Sequence, residues 1–168
     1  MKPVGVNDQV GQLLDVLGPT VELLTDPSAP GAEYCVMVGA IPPGVAVPLH
    51  SHPNDPESFF VVSGSGQALV QRGDRLEWQD VEAGDFMHIP AGAKHAHRNL
   101  SSEPLVELIT STPALGRFFL EVGRTVTPGA PPSPPTPGQV RRFQQIAQRY
   151  HHWMATPAEN AEIGISLP

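Results

Sequence analysis

Short apolar runs alternate with turn residues along most of the chain, and this pattern predicts strands. Several runs alternate apolar and polar residues, and Gly, Pro, Asn, Asp and Ser cluster between them. The predicted strands are 20–25, 33–41, 45–52, 57–62, 67–71, 75–79, 85–89, 96–100, 105–111 and 117–122. Many short strands at near-even spacing are typical of a β-sandwich or β-barrel. The predicted fold class is therefore all-β.

The two ends of the chain follow other patterns. Residues 9–17 fit either a strand or a short helix. After a proline-rich stretch, Thr136 and Gln139 are spaced as a capping box, which is typical of a helix start. Apolar residues then recur at helical spacing, which predicts an amphipathic helix packed on the barrel or on a partner subunit. The predicted organisation is an N-terminal segment (1–19), a barrel (20–123), a Pro-rich linker (124–138) and a C-terminal helix and tail (139–168).

Composition and charge exclude several classes of partner. The net charge is −7, with 10 Lys and Arg against 17 Asp and Glu, so the chain lacks the basic surface that nucleic acids and anionic membranes attract. No apolar run reaches the roughly 18 residues of a membrane span. Residues 1–7 are poor in apolar side chains, so no secretory leader is expected. The single cysteine excludes an intrachain disulfide, and a cytoplasmic location is expected.

Three potential metal ligands lie close together in the sequence. His50 and His52 alternate on a predicted strand, so both side chains point to one side. Glu57 starts the returning strand after a turn, so it can approach them across a hairpin. His95, on a later strand, is a natural fourth ligand. This donor set suits one divalent ion of Fe, Mn, Ni, Cu or Zn, whereas the two histidines alone could also be surface residues beside a proline turn.

Two longer patterns contain these ligands. The first is Gly44-x5-His50-x-His52-x4-Glu57-x6-Gly64, and the second is Gly84-x5-Pro90-x-Gly92-x2-His95-x3-Asn99. In tandem they resemble the two motifs of the cupin superfamily, and the chain is similar to its small single-domain members of the cupin 2 type, loosely to quercetinase-like ones. The resemblance spans about residues 20–123. It implies a jelly-roll barrel of two antiparallel sheets, with His50, His52, Glu57 and His95 as the metal ligands.

Other side chains have candidate roles around this centre. His97 follows His95 at strand parity, so it is a candidate hydrogen-bond donor, proton shuttle or extra ligand, or else a buried structural histidine. Phe59 and Val61 share parity with Glu57 and are expected to line the cavity. His88 is a weaker candidate for the lining, because its strand could present it to either face.

Four further residues are interpreted as structural. Trp78 and Met87 are expected to pack in the protein rather than contact a cofactor. The His151-His152 pair is interpreted as a solvated helix end, although it could bind metal adventitiously.

Several functions remain open from the sequence. The first is a metal-dependent dioxygenase or related oxidoreductase acting on a small phenolic, enol or diketone-like substrate, with Glu57 as base and His97 assisting. The second is an isomerase, lyase or hydrolase in which the metal polarises a carbonyl. The third is a non-enzymatic protein that binds a small ligand or metal. The family resemblance also implies a homodimer.

Overall fold

Two antiparallel sheets account for most of the structure, a computed structural model that describes residues 11–127 and 134–166. The strands are β1 (Gln12–Asp15), β2 (Thr20–Leu23), β3 (Cys35–Ile41), β4 (Ala46–Ser51), β5 (Glu57–Ser63), β6 (Ser65–Arg72), β7 (Arg75–Glu82), β8 (Phe86–Ile89), β9 (His95–Arg98), β10 (Leu105–Ser111), β11 (Arg124–Thr125) and β12 (Trp153–Met154). One sheet has the order β11-β1-β2-β3-β10-β5-β8, and the other has the order β12-β4-β9-β6-β7. The predicted all-β fold of two antiparallel sheets is confirmed.

Side-chain alternation explains how the two sheets form a core. In β3 and β10 every second residue is buried, as expected for strands with one face on a core. Val61 and Leu105 from the seven-stranded sheet share a buried cluster with Ala68 and Val81 from the five-stranded sheet. Burial of these apolar side chains therefore holds the sheets together.

The prediction of a strand at 117–122 is wrong, because this segment belongs to the helix α1 (Pro113–Val122). Thr112 caps the helix by accepting a hydrogen bond from the amide of Leu115, and Pro113 follows at the first helical position. Leu115 and Phe118, three residues apart, are both buried on one face. A short apolar run fits both a strand and one helix face, and the cap decides for the helix.

The N-terminal segment and the predicted linker both contain strands in the structure. Within residues 9–17, β1 is a strand that pairs with β2, so the alternative of a helix is not adopted. The predicted linker begins with β11, which pairs with β1. Residues 1–10, 128–133 and 167–168 lie outside the described residues, including part of the proline-rich stretch.

The C-terminal helix is present and begins at the predicted capping box. The helix α2 (Pro137–Arg149) buries Ile146 and Ala147 in the main core cluster. It is followed by β12 and by the short helix α3 (Pro157–Glu162). We call residues 137–166 the C-terminal strap. Within the described residues, no helix is both long and apolar enough to cross a membrane.

Truncating Ile146 should destabilise the protein by loosening the strap. Its side chain is 3% exposed and joins the main core cluster. We expect Ile146→Ala to lower the free energy of unfolding by about 2–5 kcal/mol, since it removes buried methylene groups and leaves a cavity. Urea unfolding followed by circular dichroism measures this. The control is Gln148→Ala on the exposed face of α2, with an expected change below about 0.5 kcal/mol; equal effects of both variants would contradict the docking of α2 on the barrel.

Candidate metal centre

Three strands from the two sheets bring the predicted ligands together. His50 lies on β4 directly opposite His95 on β9, in the five-stranded sheet. His52 follows the end of β4. Glu57 is the first residue of β5, in the seven-stranded sheet. The predicted hairpin between the strands of His50 and Glu57 is therefore wrong, because β4 and β5 belong to different sheets. The imidazoles therefore come from one side of the barrel and the carboxylate from the other.

The four side chains form one compact group. The imidazole ring centroids of His50 and His95 are 4.2 Å apart, and that of His52 lies 4.8 Å and 5.2 Å from them, respectively. Oε2 of Glu57 lies 3.0 Å from Nε2 of His95 and 3.3 Å from Nδ1 of His52. One potential ligand atom from each residue lies within 4.8 Å of all the others. His52, Glu57 and His95 are buried and His50 is half-buried.

The donor set and its spacing fit a divalent transition ion. Ligand atoms lie about 2.0–2.2 Å from such an ion, so two atoms on opposite sides of it are about 4 Å apart. The Nδ1 atoms of His50 and His95 lie 2.7 Å and 3.0 Å from the carbonyl oxygens of Pro48 and Ala93. When these Nδ1–H groups donate to the carbonyls, the Nε2 atoms are left with lone pairs for a metal.

The contact between Glu57 and His95 provides a second test of this fit. Nε2 of His95 then faces the carboxylate of Glu57 with a lone pair, which is unfavourable unless a positive charge lies between them. A divalent ion held by these residues would supply that charge. Nδ1 of His52 is likewise buried without a hydrogen-bond partner in the part of the chain that the structure describes. The residues present therefore fit the metal that the sequence pattern implies.

The electrostatics favour the protonation states that metal ligands need. Burial alone would raise the pKa of Glu57, but the neighbouring His52 and His95 outweigh it and hold the pKa well below its usual value. Burial and the neighbouring imidazoles of His95 and His52 lower the pKa of His50 well below its usual value. At neutral pH this leaves an ionised carboxylate and a neutral imidazole.

The residues expected to line the cavity do not all do so. Phe59 is buried, and its ring lies 4.7 Å from that of His97. Val61 is also buried, in the cluster that joins the sheets. The expectation for His88 is wrong: its neighbour Met87 packs against the core, so strand parity places His88 on the exposed face, where it contacts the hydroxyl of Ser58.

Met87 and Trp78 are packing residues in the structure. Met87 packs against the main core cluster and against the cluster that joins the two sheets. Trp78 packs against the cluster that includes Leu49, and its indole N–H donates to the carbonyl of Ile163 in the strap.

His97 has a buried acidic partner that the sequence analysis missed. Nδ1 of His97 lies 3.2 Å from Oε1 of Glu107 on β10, and both side chains are only 3% exposed. Burial opposes protonation, but the Glu107 carboxylate outweighs it and raises the pKa of His97 above its usual value. The available signal was a glutamate at an inward-facing position of an alternating strand, between Leu105 and Ile109.

The interpretation of the His151-His152 pair as a solvated helix end holds for one residue and fails for the other. His151 is exposed. His152 is 7% exposed, and its ring centroid lies 4.5 Å from that of His52. The chain turns inward after α2, where His151 adopts a positive φ of 59°, so the second histidine reaches the metal centre. Asp55, whose Oδ2 lies 3.9 Å from Nε2 of His152, was also not predicted as part of this region.

Comparisons with known proteins agree with this architecture. Residues 37–110 match the family described as Cupin domain. A putative germin-like protein 9-2 from Oryza sativa subsp. japonica is 32% identical over 76 residues, which are 45% of this chain and 35% of that protein. Germin-like protein 9-3 from the same organism is 30% identical over 83 residues, which are 49% of this chain and 39% of that protein. The chain thus spans well under half of the length of these relatives.

Solved structures with the same fold include oxalate decarboxylases. The Lactobacillus farciminis oxalate decarboxylase formate complex matches with a TM-score of 0.53 and 25% identity, over 60% of this chain and 31% of that one. A Bacillus subtilis oxalate decarboxylase structure, concerned with its Mn(II) centres, matches with a TM-score of 0.52 and 25% identity, over 59% of this chain and 27% of that one. Both matches cover less than a third of the larger enzyme.

Removing one imidazole should abolish metal binding at this centre. We expect the untagged protein, reconstituted with each of Fe, Mn, Ni, Cu and Zn, to retain about one equivalent of at least one ion, and His95→Ala to lose it because one ligand is missing. Elemental analysis after gel filtration measures this. The matched control is His88→Ala, which removes an exposed histidine and should leave the metal content unchanged. Equal metal content in His95→Ala and the wild type would remove His95 from the ligand set.

Proposed function

The chain is a member of the cupin superfamily, and within it we propose a metal-dependent oxidoreductase of the dioxygenase type. Its substrate is a small phenolic, enol or diketone-like compound held in the barrel. The observation that carries the proposal is the buried group of three imidazoles and one carboxylate, with a second imidazole–carboxylate pair nearby. This arrangement combines a site for a metal with groups that can transfer protons.

Each side chain of the group has a distinct task in this proposal. A bound divalent ion supplies a Lewis acid and, where the ion is redox-active, a centre for oxygen chemistry. His50, His52, His95 and Glu57 are the residues that would hold it. Glu57, kept ionised by its histidine neighbours, accepts the proton of the substrate hydroxyl or enol. Phe59 provides an apolar wall that limits water.

His97 assists by donating a hydrogen bond. Glu107 contacts Nδ1 of His97 and favours the protonated imidazole. Nε2 of His97 is buried and has no hydrogen-bond partner among residues 11–127 and 134–166, so it is available to a substrate oxygen. Glu107 is thus a positioning residue, and Glu57 and His97 are the proposed catalytic residues.

A lyase acting on a small carboxylic acid is the second candidate. It is favoured by the likeness of the barrel to the two oxalate decarboxylases, at 25% identity. An isomerase or a non-enzymatic ligand-binding protein would use the same site without oxygen. Experiments must therefore distinguish both of them from the oxidoreductase.

Oxygen consumption should separate these candidates. We expect the metal-loaded protein to take up O2 with at least one compound from a panel of catechols, flavonols and diketones, and His50→Ala to lose the uptake with the metal. Glu107→Gln should lower the rate about 10- to 100-fold while metal content stays unchanged, because His97 loses the charge that favours its protonated form. An oxygen electrode combined with elemental analysis measures both.

The control and the contrary outcomes use the same samples. His88→Ala should consume oxygen at the wild-type rate. Turnover under argon, with carbon dioxide released from oxalate or a related acid, would replace the oxidoreductase by the lyase. A ligand-shifted melting temperature without any product would replace both by a binding protein.

We further propose a cytoplasmic location and partners limited to a small-molecule substrate and a second copy of the chain. A net charge of −7 disfavours nucleic acid and anionic membranes as partners. Cys35 is a buried free thiol, which suits a reducing compartment. Phe60 and Phe86 face each other across β5 and β8 and are 43% and 65% exposed, which supports sheet-to-sheet dimerisation at this edge.

A charge placed in this apolar patch should dissociate the dimer. We expect the wild type to sediment as two chains and Phe86→Glu to sediment as one, because the carboxylate cannot be buried without a partner. Analytical ultracentrifugation measures this. The control is Tyr34→Glu, since Tyr34 is also exposed but precedes β3, two strands away from β5. A monomeric wild type would contradict the proposal.

A further inference from the structure

The C-terminal strap is hydrogen-bonded to the strand that carries a metal ligand. In β12, Met154 pairs with His50 and Trp153 pairs with Ser51 of β4. The amide of Ala155 then donates to the carbonyl of Leu49 at 2.9 Å. The strap therefore extends the five-stranded sheet at its ligand-bearing edge.

Further contacts fix the strap on the outer face of this sheet. The side-chain oxygen of Asn160, a fully buried residue, accepts a hydrogen bond from the amide of Leu49 at 2.9 Å. Ile165 packs against Leu49 in a buried cluster. The ammonium group of Lys94 lies 3.9 Å from the ring centroid of Trp153. These contacts anchor the part of the strap that follows His152 on the outer face of the five-stranded sheet.

His152 is the strap residue that meets the ligands. Its ring is packed between that of His52, at 4.5 Å, and that of Phe118 on α1, at 4.4 Å. Both ring nitrogens are buried without a hydrogen-bond partner in the described ranges. A buried imidazole without hydrogen bonds is costly, so its place beside a metal ligand calls for a function.

Asp55 gives His152 a charged neighbour. Its Oδ2 lies 3.9 Å from Nε2 of His152, and its Oδ1 accepts a hydrogen bond from the hydroxyl of Thr112, the cap of α1. Three parts of the fold meet at this point: the turn between β4 and β5, the start of α1, and the strap. Their meeting point is next to His52.

The three histidine ligands differ in what orients their rings. Pro48 and Ala93 carbonyls accept hydrogen bonds from His50 and His95 and hold those rings. Nδ1 of His52 has no such bond within the described residues, although Oε2 of Glu57 is 3.3 Å away. The ring of His52 instead lies against that of His152, with the centroids 4.5 Å apart and the two ring planes tilted by 41°.

We propose that His152 is a positioning residue of the metal centre, which packs its ring against His52 and so makes the C-terminal strap a part of the site. This inference rests on the proposed metal site. Oδ2 of Asp55 lies 3.9 Å from Nε2 of His152, and the ring of Phe118 also packs against its imidazole. The barrel therefore carries all four candidate ligands, whereas the ring that packs against His52 comes from the strap.

Cobalt(II) binding to the full chain tests this role, because the visible spectrum of the ion reports ligand geometry as well as affinity. We expect His152→Ala to weaken Co(II) affinity about 10- to 100-fold and to change the spectrum, as loss of a group that orients a ligand does. His152→Phe keeps a flat ring and should retain the wild-type spectrum and most of the affinity.

The control is His151→Asn, which removes the adjacent exposed imidazole while Asn tolerates the positive φ at this position. It should match the wild type. Melting curves of the metal-free variants establish whether each variant is folded. If His152→Ala is unfolded, His152→Phe serves as the test.

Two results would overturn the inference. One is wild-type affinity and spectrum in His152→Ala, and the other is an altered spectrum in folded His152→Phe, which would show that ring packing is not what matters. A wild-type protein that fails to bind Co(II) would instead overturn the metal centre itself. Co(II) binding without oxygen uptake by the natural-metal forms would overturn only the oxidoreductase.

Discussion

The buried carboxylate of Glu57 is the constraint on which the arrangement of the barrel depends. A charge removed from water must be paired, and here the partners are imidazoles from the opposite sheet. The pair of His97 and Glu107 repeats this pattern, with the acid again on the seven-stranded sheet and the imidazole on the five-stranded one. The two sheets are therefore joined by apolar packing and also by polar contacts that fix their relative position.

Two histidines inside the barrel, His50 and His97, have environments that shift their pKa values in opposite directions. Burial and neighbouring imidazoles lower the pKa of His50, which suits a neutral ligand, whereas Glu107 raises the pKa of His97, which suits a donor. Environments that separate the pKa values of similar groups are characteristic of sites that bind and transfer protons. Burial and neighbouring imidazoles thus favour the neutral form of His50, whereas the carboxylate of Glu107 favours the protonated form of His97.

The strap adds a further level to this organisation. It begins with a helix that packs on α1, crosses the metal centre at His152, and ends on the outer face of the ligand-bearing sheet. Thr112 and Asp55 connect the same place to the start of α1 and to the turn before Glu57. The strap, which follows the barrel in the sequence, is in this way tied to strands that carry the candidate ligands.

The sequence by itself determined those features that depend on neighbouring residues. Alternation predicted most of the strands, the motif with His50, His52 and Glu57 predicted a group of candidate ligands, and Thr136 predicted the start of α2. These signals are local, because strand parity and helix capping act over a few residues.

Only the tertiary structure decided the features that depend on how distant segments meet. The run at 117–122 suits a strand or a helix face, and the cap and the packing of Phe118 select the helix. His88 could face either side until the packing of Met87 placed it outside. Asp55 and His152 are 97 residues apart in the numbering, 152 minus 55, and their approach depends on the path of the strap. No local pattern encodes such a path, because it is selected by the burial of side chains across the whole fold.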